Sequence, residues 1–203
     1  ALGLRFCGRE YQDIMHALVV RFGDALVKTS GLKVFGHYFA REKGFLVIPY
    51  LLGGRPVYLK ARPPVSKEGA ERLGLVRFLN TAAAVPCLYN ADALKDQPER
   101  VLICEGESDT WSALSAGYAA VGSPGAKGFK AAWVESFRGI QNADGRSSVY
   151  LVLDADKAGG EGSRVIADLF LKAGLPVPLK LILPPGMDLT DYMKEGKNEL
   201  WKE

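Results

Sequence analysis

Residues 101–110 read VLICEGESDT, and this stretch decides the fold class. The apolar run at 101–104 predicts a buried strand, which leads directly into the carboxylates of Glu105, Glu107 and Asp109. A second apolar run, VYLVL at 149–153, ends in Asp154 and Asp156, and a third, LKLIL at 179–183, is followed by Asp188. Acidic side chains therefore recur where predicted strands end.

The second half of the chain alternates apolar strands with helical patterns. Strands that are apolar throughout, each followed by a helix, indicate a parallel sheet covered on both faces. The sequence thus predicts a doubly wound α/β domain over 99–203, with its ligand site beyond the carboxyl ends of the strands. The predicted strands are 101–104, 118–121, 149–153 and 179–183, and the predicted helices are 109–117 capped by Ser108, 130–137, 161–173 and 189–194.

Residues 1–98 show a different pattern. A helical pattern covers 11–28, and strands at 44–50 and 55–61 flank Leu51-Leu52-Gly53-Gly54, which is a hairpin signal. We expect a smaller α+β subdomain that contains an antiparallel piece. Its basic side chains, beside an acidic second half, suit a polyanion held against a metal site, although charge alone favours a solvated surface.

The composition excludes several classes of protein. The net charge is +3 and the hydrophobic content is 48%, so the chain can bury a core. No apolar run approaches the roughly 20 residues that a membrane span requires. The three cysteines are scattered and form no C-x-x-C pair, which argues against a zinc ribbon or a disulfide framework. Reduced thiols in a cytoplasmic protein are the simplest interpretation.

The strand-end acids are candidate metal ligands. Parallel strands bring their carboxyl ends to one edge of the sheet, and clustered carboxylates resist ionisation unless a cation neutralises them. Oxygen ligands without a nearby His or Cys suit Mg²⁺ or Mn²⁺ and a phosphate-bearing substrate. Each signal alone has a structural alternative: a D-x-D in a loop, a helix start at Glu105–Asp109, or a helix cap at Asp188. We expect Glu107, Asp191 and Glu195 to be surface charges.

At these residues the chain resembles a TOPRIM domain, the catalytic fold of bacterial primases, topoisomerases and some nucleases. CEGESD supplies the family's strand-end Glu at Glu105, and LDADKAGG supplies its D-x-D at Asp154 and Asp156. The resemblance implies that Glu105 is a general acid/base and that the D-x-D acids bind Mg²⁺.

The flanking motifs resemble the RNA polymerase core of DnaG-type primases, particularly those of phages, plasmids and mobile elements. E-G-x-x-D includes Asp109, Ala158-Gly159 follow the D-x-D, and GMDLTDYM contains Asp188. In the first half, GFLVIPY, GRPVYLKAR and VRFLNTAAAVPCLYN are similar to primase segments in the same order. The resemblance implies metal binding by Asp109, Asp154, Asp156 and Asp188 and DNA binding by Lys60, Arg62, Arg77 and Asn80. Lys127 and Lys130, after the GSPG loop, are candidates for contacts to nucleotide phosphates, with a solvated face as the alternative.

The implied activity is metal-dependent synthesis of short primers from nucleoside triphosphates on single-stranded DNA. A replicative helicase and a zinc-binding module outside this chain are the implied partners, and no membrane is involved. A TOPRIM nuclease or a non-catalytic DNA-binding module of a repair complex are the alternatives. A topoisomerase would need a nucleophilic Tyr in a separate domain, and haloacid-dehalogenase-like phosphatases carry their D-x-D on the first strand.

Overall fold

Two separate sheets organise the chain. The computed structural model describes residues 5–7, 11–30, 32, 45–81, 86–125, 127–196 and 200. It divides the chain into two units, Ala1–Pro86 and Cys87–Glu203. This division falls before the boundary predicted between 98 and 99, because Leu88 and Leu94 are buried in the core of the second unit.

The first unit contains a four-stranded antiparallel sheet in the order β1-β2-β3-β4. Phe45, Ala61 and Leu79 form its buried centre. The antiparallel α+β character predicted for this half is therefore confirmed, while residue 44 of the predicted strand lies outside the described residues. The strands are β1 (Arg5–Cys7), β2 (Phe45–Leu52), β3 (Arg55–Arg62) and β4 (Leu79–Asn80).

The hairpin between β2 and β3 is tighter than predicted. Leu51 pairs with Pro56 and Leu52 with Arg55, so only Gly53 and Gly54 form the turn. Their φ angles of 63° and 72° are both positive, which two-residue hairpin turns require and glycine readily adopts. The prediction of a four-residue connection was wrong because Leu51 and Leu52 continue the strand.

The helices of the first unit are α1 (Tyr11–Phe22), α2 (Asp24–Thr29) and α3 (Lys67–Arg72). The single helix predicted over 11–28 is interrupted at Gly23, whose φ of 82° lies outside the helical region. Ser66 caps α3 by accepting a hydrogen bond from the Gly69 amide at 3.1 Å.

The second unit contains a four-stranded parallel sheet in the order β6-β5-β7-β8. This confirms the predicted α/β fold class. The strands are β5 (Val101–Glu105), β6 (Ala120–Ser123), β7 (Val149–Val152) and β8 (Leu179–Lys180), and the helices are α4 (Glu107–Ser115), α5 (Lys157–Lys172) and α6 (Leu189–Lys194), with 3-10 helices at Ala91–Leu94 and Ala131–Phe137.

The parallel sheet is buried on both faces, as its apolar strands predict. Alternate residues of β5 enter different hydrophobic clusters: Val101 and Ile103 join Ile166 of α5, whereas Leu102 and Cys104 join a second cluster. Outside β6, Tyr89 exchanges two backbone hydrogen bonds with Gly122, at 2.9 and 3.0 Å. No helix among the described residues is long and apolar enough to cross a membrane.

Several element bounds differ from the prediction. The last helix, at 189–194, is confirmed. Helix α4 begins at Glu107 with Gly106 at its N-cap, so Ser108 is not the cap. Helix α5 begins at Lys157 because Asp156 caps it. The predicted helix at 130–137 is a 3-10 helix. Strand β6 begins at Ala120, two residues later than predicted. Strand β8 ends at Lys180, so the prediction of a strand over 179–183 was too long.

Candidate functional site

Glu105 links the carboxyl ends of the two central strands. It is the last residue of β5, and its Oε2 accepts a hydrogen bond from the Asp154 backbone amide, just beyond β7, at 3.3 Å. The strand-end acids of β5 and β7 are therefore held side by side, as parallel pairing of these strands predicts.

Asp109 is buried in the first turn of α4. Gly106 makes this possible, because its φ of 93° turns the chain sharply from β5 into the helix. Asp109 is only 3% exposed. Its Oδ1 accepts two hydrogen bonds from Thr190 of α6, from the backbone amide at 3.1 Å and from the hydroxyl at 2.6 Å.

Asp154 lies directly beneath the start of α5. A Cβ at Gly159 would lie 2.1 Å from the Asp154 carbonyl oxygen, so only glycine permits this close approach. Asp156 caps the same helix by accepting a hydrogen bond from the Gly159 amide at 2.7 Å. The close approach of the Asp154 backbone therefore explains why glycine occupies position 159, after the D-x-D.

Asp188 caps α6. Its Oδ1 accepts a hydrogen bond from the Asp191 amide at 2.7 Å, which is the structural alternative that the sequence allowed for this residue. The cap bonds of Asp156 and Asp188 each use one carboxylate oxygen, Oδ1. The second oxygen of each carboxylate takes no part in the cap.

The predicted acids form one electrostatic cluster. Burial, followed by the charges of nearby carboxylates including Glu105, raises the pKa of Asp154 to about 7. Burial and the charges of Asp188 and Glu105 raise the pKa of Asp109 to about 6, while the hydrogen bonds from Thr190 lower it. The cluster therefore gathers negative charge, and Lys194 is a nearby cation: Asp191 and, more weakly, Asp188 and Asp109 raise its pKa.

This donor set suits a hard divalent cation. It consists of carboxylate oxygens, the ligands that Mg²⁺ and Mn²⁺ prefer, and the raised pKa values show that added positive charge would stabilise it. As they stand, no three His, Cys, Asp or Glu side chains among the described residues converge enough to hold a metal ion. Binding would therefore require the carboxylates to converge further than they do here.

Glu107 corrects one expectation. It was predicted to be a surface charge, but it is only 5% exposed, because α4 begins at Glu107 itself and its first turn packs against the sheet end. Asp191 and Glu195 are exposed, as predicted. Asp191 forms a salt bridge with Lys194 at 2.8 Å.

In the first unit, three of the predicted DNA-binding residues surround one aromatic ring. Lys60 Nζ, Arg77 Cζ and Arg62 Cζ lie 4.1, 5.2 and 5.9 Å from the centroid of the half-buried Phe78 ring. The antiparallel register of β3 and β4 produces this arrangement by pairing Lys60 with Asn80. We call Lys60, Arg62, Arg77, Phe78 and Asn80 the basic patch.

Of the two predicted nucleotide-binding lysines, Lys127 lies within a tight loop and Lys130 follows it. Gly128 is required in this loop because a Cβ there would lie 2.0 Å from the Pro124 carbonyl oxygen. Lys127 forms a salt bridge with Glu161 of α5 at 2.8 Å, and Lys130 is exposed just before the second 3-10 helix. Both retain surface positions in the second unit.

The sequence did not single out Thr190. Its two contacts to Asp109 depend on the packing of α6 against α4, which brings together residues far apart in the chain. A Thr two residues after a strand-end Asp carries no signal that distinguishes it from a helix-start residue.

The chain was compared with protein families and with individual known proteins. No protein-family model matches it. It is 30% identical over 128 residues to the gene 57 protein of Mycobacterium phage D29, a match that covers 63% of this chain and 77% of that protein.

Solved structures of primases share its fold. The RNA polymerase domain of Mycobacterium tuberculosis primase DnaG matches with a TM-score of 0.67 and 20% identity over 97% of this chain and 67% of that one. The primase fragment of the bacteriophage T7 primase-helicase protein matches with a TM-score of 0.60 and 21% identity, over 78% of this chain and 61% of that one. A DnaG primase catalytic domain bound to single-stranded DNA matches with a TM-score of 0.60 and 19% identity, over 92% of this chain and 69% of that one. The chain thus spans about two thirds of the length of these primase chains. It has the fold of the primase RNA polymerase domain, and by its sequence it belongs to the same family as the gene 57 protein of Mycobacterium phage D29.

Proposed function

We propose that this chain is the catalytic core of a DnaG-type DNA primase of the phage or mobile-element kind. It would synthesise short primers from nucleoside triphosphates on a single-stranded DNA template during replication. The observation that carries the proposal is the carboxylate cluster at the ends of β5 and β7, within the fold of primase RNA polymerase domains. The relative from a mycobacteriophage supports the phage assignment.

The second unit would act as a TOPRIM domain. Asp109, Asp154, Asp156 and Asp188 would hold Mg²⁺ or Mn²⁺, which when bound neutralises triphosphate charge and polarises the reacting phosphoryl group. The repulsion within the cluster favours this role, since it disfavours the fully ionised acids until positive charge arrives. Metal binding and triphosphate binding are therefore expected to reinforce each other.

Glu105 would act as the general base. Its carboxylate would accept the proton of the attacking 3′-hydroxyl of the growing primer. The hydrogen bond from the Asp154 amide to its Oε2 orients this carboxylate toward the end of β7, and the other oxygen, Oε1, lies outside that bond.

The basic patch of the first unit would bind the template. Three cations contribute phosphate contacts and salt-dependent affinity, and the half-buried Phe78 ring offers a face on which a base can stack. Asn80, which accepts a hydrogen bond from the Tyr58 hydroxyl, would add a polar contact. Lys127 and Lys130 would contact nucleotide phosphates, Lys127 after exchanging its Glu161 partner.

Primer synthesis during replication would also involve modules outside this chain. One structural neighbour is part of a primase-helicase protein. By analogy, we infer that a replicative helicase and a zinc-binding module, both outside this chain, cooperate with it in the cytoplasm.

The test is incorporation of labelled nucleotides on single-stranded DNA with Mg²⁺ or Mn²⁺, with the template labelled separately. Wild type should produce short products and leave the template intact, and Asp154→Asn should lose both the products and the divalent-ion binding measured by calorimetry. Asp168→Asn is the matched control, because Asp168 is an exposed acid on α5. Unchanged ion binding by Asp154→Asn would remove Asp154 from the metal site.

The same gel separates the two alternatives. Metal-dependent template degradation without synthesis would identify a nuclease that uses the same acids. Template binding with neither synthesis nor degradation, also in the presence of a helicase and a zinc-binding module, would identify a non-catalytic DNA-binding module.

A further inference from the structure

Thr190 makes an unusual double contact with a buried carboxylate. Its backbone amide and its hydroxyl both donate to the same oxygen of Asp109, Oδ1, at 3.1 and 2.6 Å. Asp109 is 3% exposed, so its orientation is set by protein groups rather than by water. With Oδ1 engaged twice, Oδ2 is the oxygen left outside these bonds.

The Thr190 hydroxyl is itself held from the other side. Ser112 Oγ on α4 lies 3.0 Å from Thr190 Oγ1, within hydrogen-bond distance. Because the Thr190 hydroxyl has one proton and gives it to Asp109, Ser112 is the donor in this pair; the Ser112 hydroxyl also lies 3.2 Å from the Ser108 carbonyl oxygen, so its one proton is shared between the two acceptors. A relay Ser112–Thr190–Asp109 therefore connects α4 to α6 and back to α4.

A role in building α6 does not explain the hydroxyl. Helix α6 is capped by Asp188, which accepts from the Asp191 amide at 2.7 Å. The apolar part of the packing between α4 and α6 involves the buried Leu189 and Ala113. Thr190→Val would keep the backbone amide, the β-branched shape and the packing, and would lose the hydroxyl that donates to Asp109 and accepts from Ser112.

We propose that Thr190 is a positioning residue that orients the Asp109 carboxylate for a divalent cation. This inference rests on the proposed function, since it assumes that Asp109 is a metal ligand. Ligating carboxylates are commonly held by a second hydrogen-bonding group, and loss of such a group typically lowers metal affinity or activity about 10- to 100-fold. Thr190 supplies that group from a different helix.

The test compares Thr190→Val and Thr190→Ser in the full chain. Mn²⁺ affinity is measured by calorimetry without nucleotide, and melting is followed by circular dichroism in EDTA. Thr190→Val should bind Mn²⁺ about 10- to 100-fold more weakly with little change in melting, whereas Thr190→Ser should bind within a few-fold of wild type. Ser115→Ala is the matched control, because exposed Ser115 lines the same cleft of about 440 Å³ between α4 and α6 as Thr190 does.

The outcomes separate this inference from the proposed function. Mn²⁺ binding by wild type together with equal binding by Thr190→Val would overturn the role of Thr190 and leave the primase proposal standing. Absence of Mn²⁺ binding and of primer synthesis in wild type would overturn both. If Thr190→Val does not fold, Ser112→Ala decides the question: weaker Mn²⁺ binding supports the relay, and unchanged binding refutes it.

Discussion

The contact between Gly159 and Asp154 yields a sharp prediction about stability. In Gly159→Ala the added methyl carbon would lie 2.1 Å from the Asp154 carbonyl oxygen. Because non-bonded heavy atoms pack at about 3.5 Å, the start of α5 or the end of β7 must move by about 1.4 Å. The obstructing atom belongs to the backbone, so no side-chain rotation relieves the overlap.

The magnitude follows from two opposing contributions. Overpacking costs about 1–3 kcal/mol, and the upper end applies because backbone must shift. Replacing glycine in a helix returns about 1 kcal/mol, so we expect Gly159→Ala to lower the free energy of unfolding by about 2 kcal/mol. Gly160→Ala is the matched control: its Cβ would meet nothing within 4 Å, and we expect a gain of about 0.5–1 kcal/mol.

The assay is urea unfolding in EDTA, followed by tryptophan fluorescence. Trp111 and Trp133 lie in the second unit, and the sequence of residues 1–86 contains no tryptophan, so the signal reports the unit that contains the mutation. Gly159→Ala should also bind Mn²⁺ more weakly than wild type, because the backbone shift displaces Asp154 and the Asp156 cap. The reasoning is refuted if Gly159→Ala is as stable as wild type, or if Gly160→Ala loses as much stability as Gly159→Ala.

The remaining predictions concern pH and the template. The pKa values of Asp154 and Asp109 are raised to about 7 and about 6, so these carboxyl groups bind more protons in the folded state than in the unfolded state. Without metal, the free energy of unfolding should therefore fall as pH rises from about 4 to about 7. Mg²⁺ should restore stability at pH 8. Thermal melts in EDTA and in Mg²⁺ test this, and a rise with pH in EDTA would contradict it. Phe78→Leu should weaken single-stranded DNA binding about 10-fold or more through lost stacking, with little change in its salt dependence; anisotropy titrations at several salt concentrations measure this, and wild-type affinity would exclude stacking on Phe78. Arg62→Ala should reduce the salt slope of the same binding by about 1, whereas Arg55→Ala, at the other end of β3, serves as its control; an unchanged slope for Arg62→Ala would remove Arg62 from the template surface.

The sequence was informative where one physical pattern dominates. Four apolar runs predicted a parallel sheet, and parallel strands place Glu105 and Asp154 at the same edge without further information. The burial of Glu107 was missed because the helix start depends on the turn at Gly106, whose positive φ a residue pattern does not reveal. Helix bounds near Gly23 were wrong for the same reason.

Contacts between distant segments were beyond sequence reasoning. The pairing of Thr190 with Asp109 requires the packing of α6 on α4. The clustering of Lys60, Arg62 and Arg77 around Phe78 requires the register of β3 with β4. The resemblance to primases had singled out these three cations individually, but only the folded sheet shows that they share one ring.

The edges of the parallel sheet affect how the chain behaves while it folds. Parallel sheets form slowly, and their unpaired edges can recruit other chains. Here Tyr89 occupies part of the outer edge of β6, and β8 on the opposite side is only two residues long and carries the exposed Lys180. Short, partly occupied and charged edges oppose edge-to-edge aggregation, even though Ile182 beside β8 is 87% exposed.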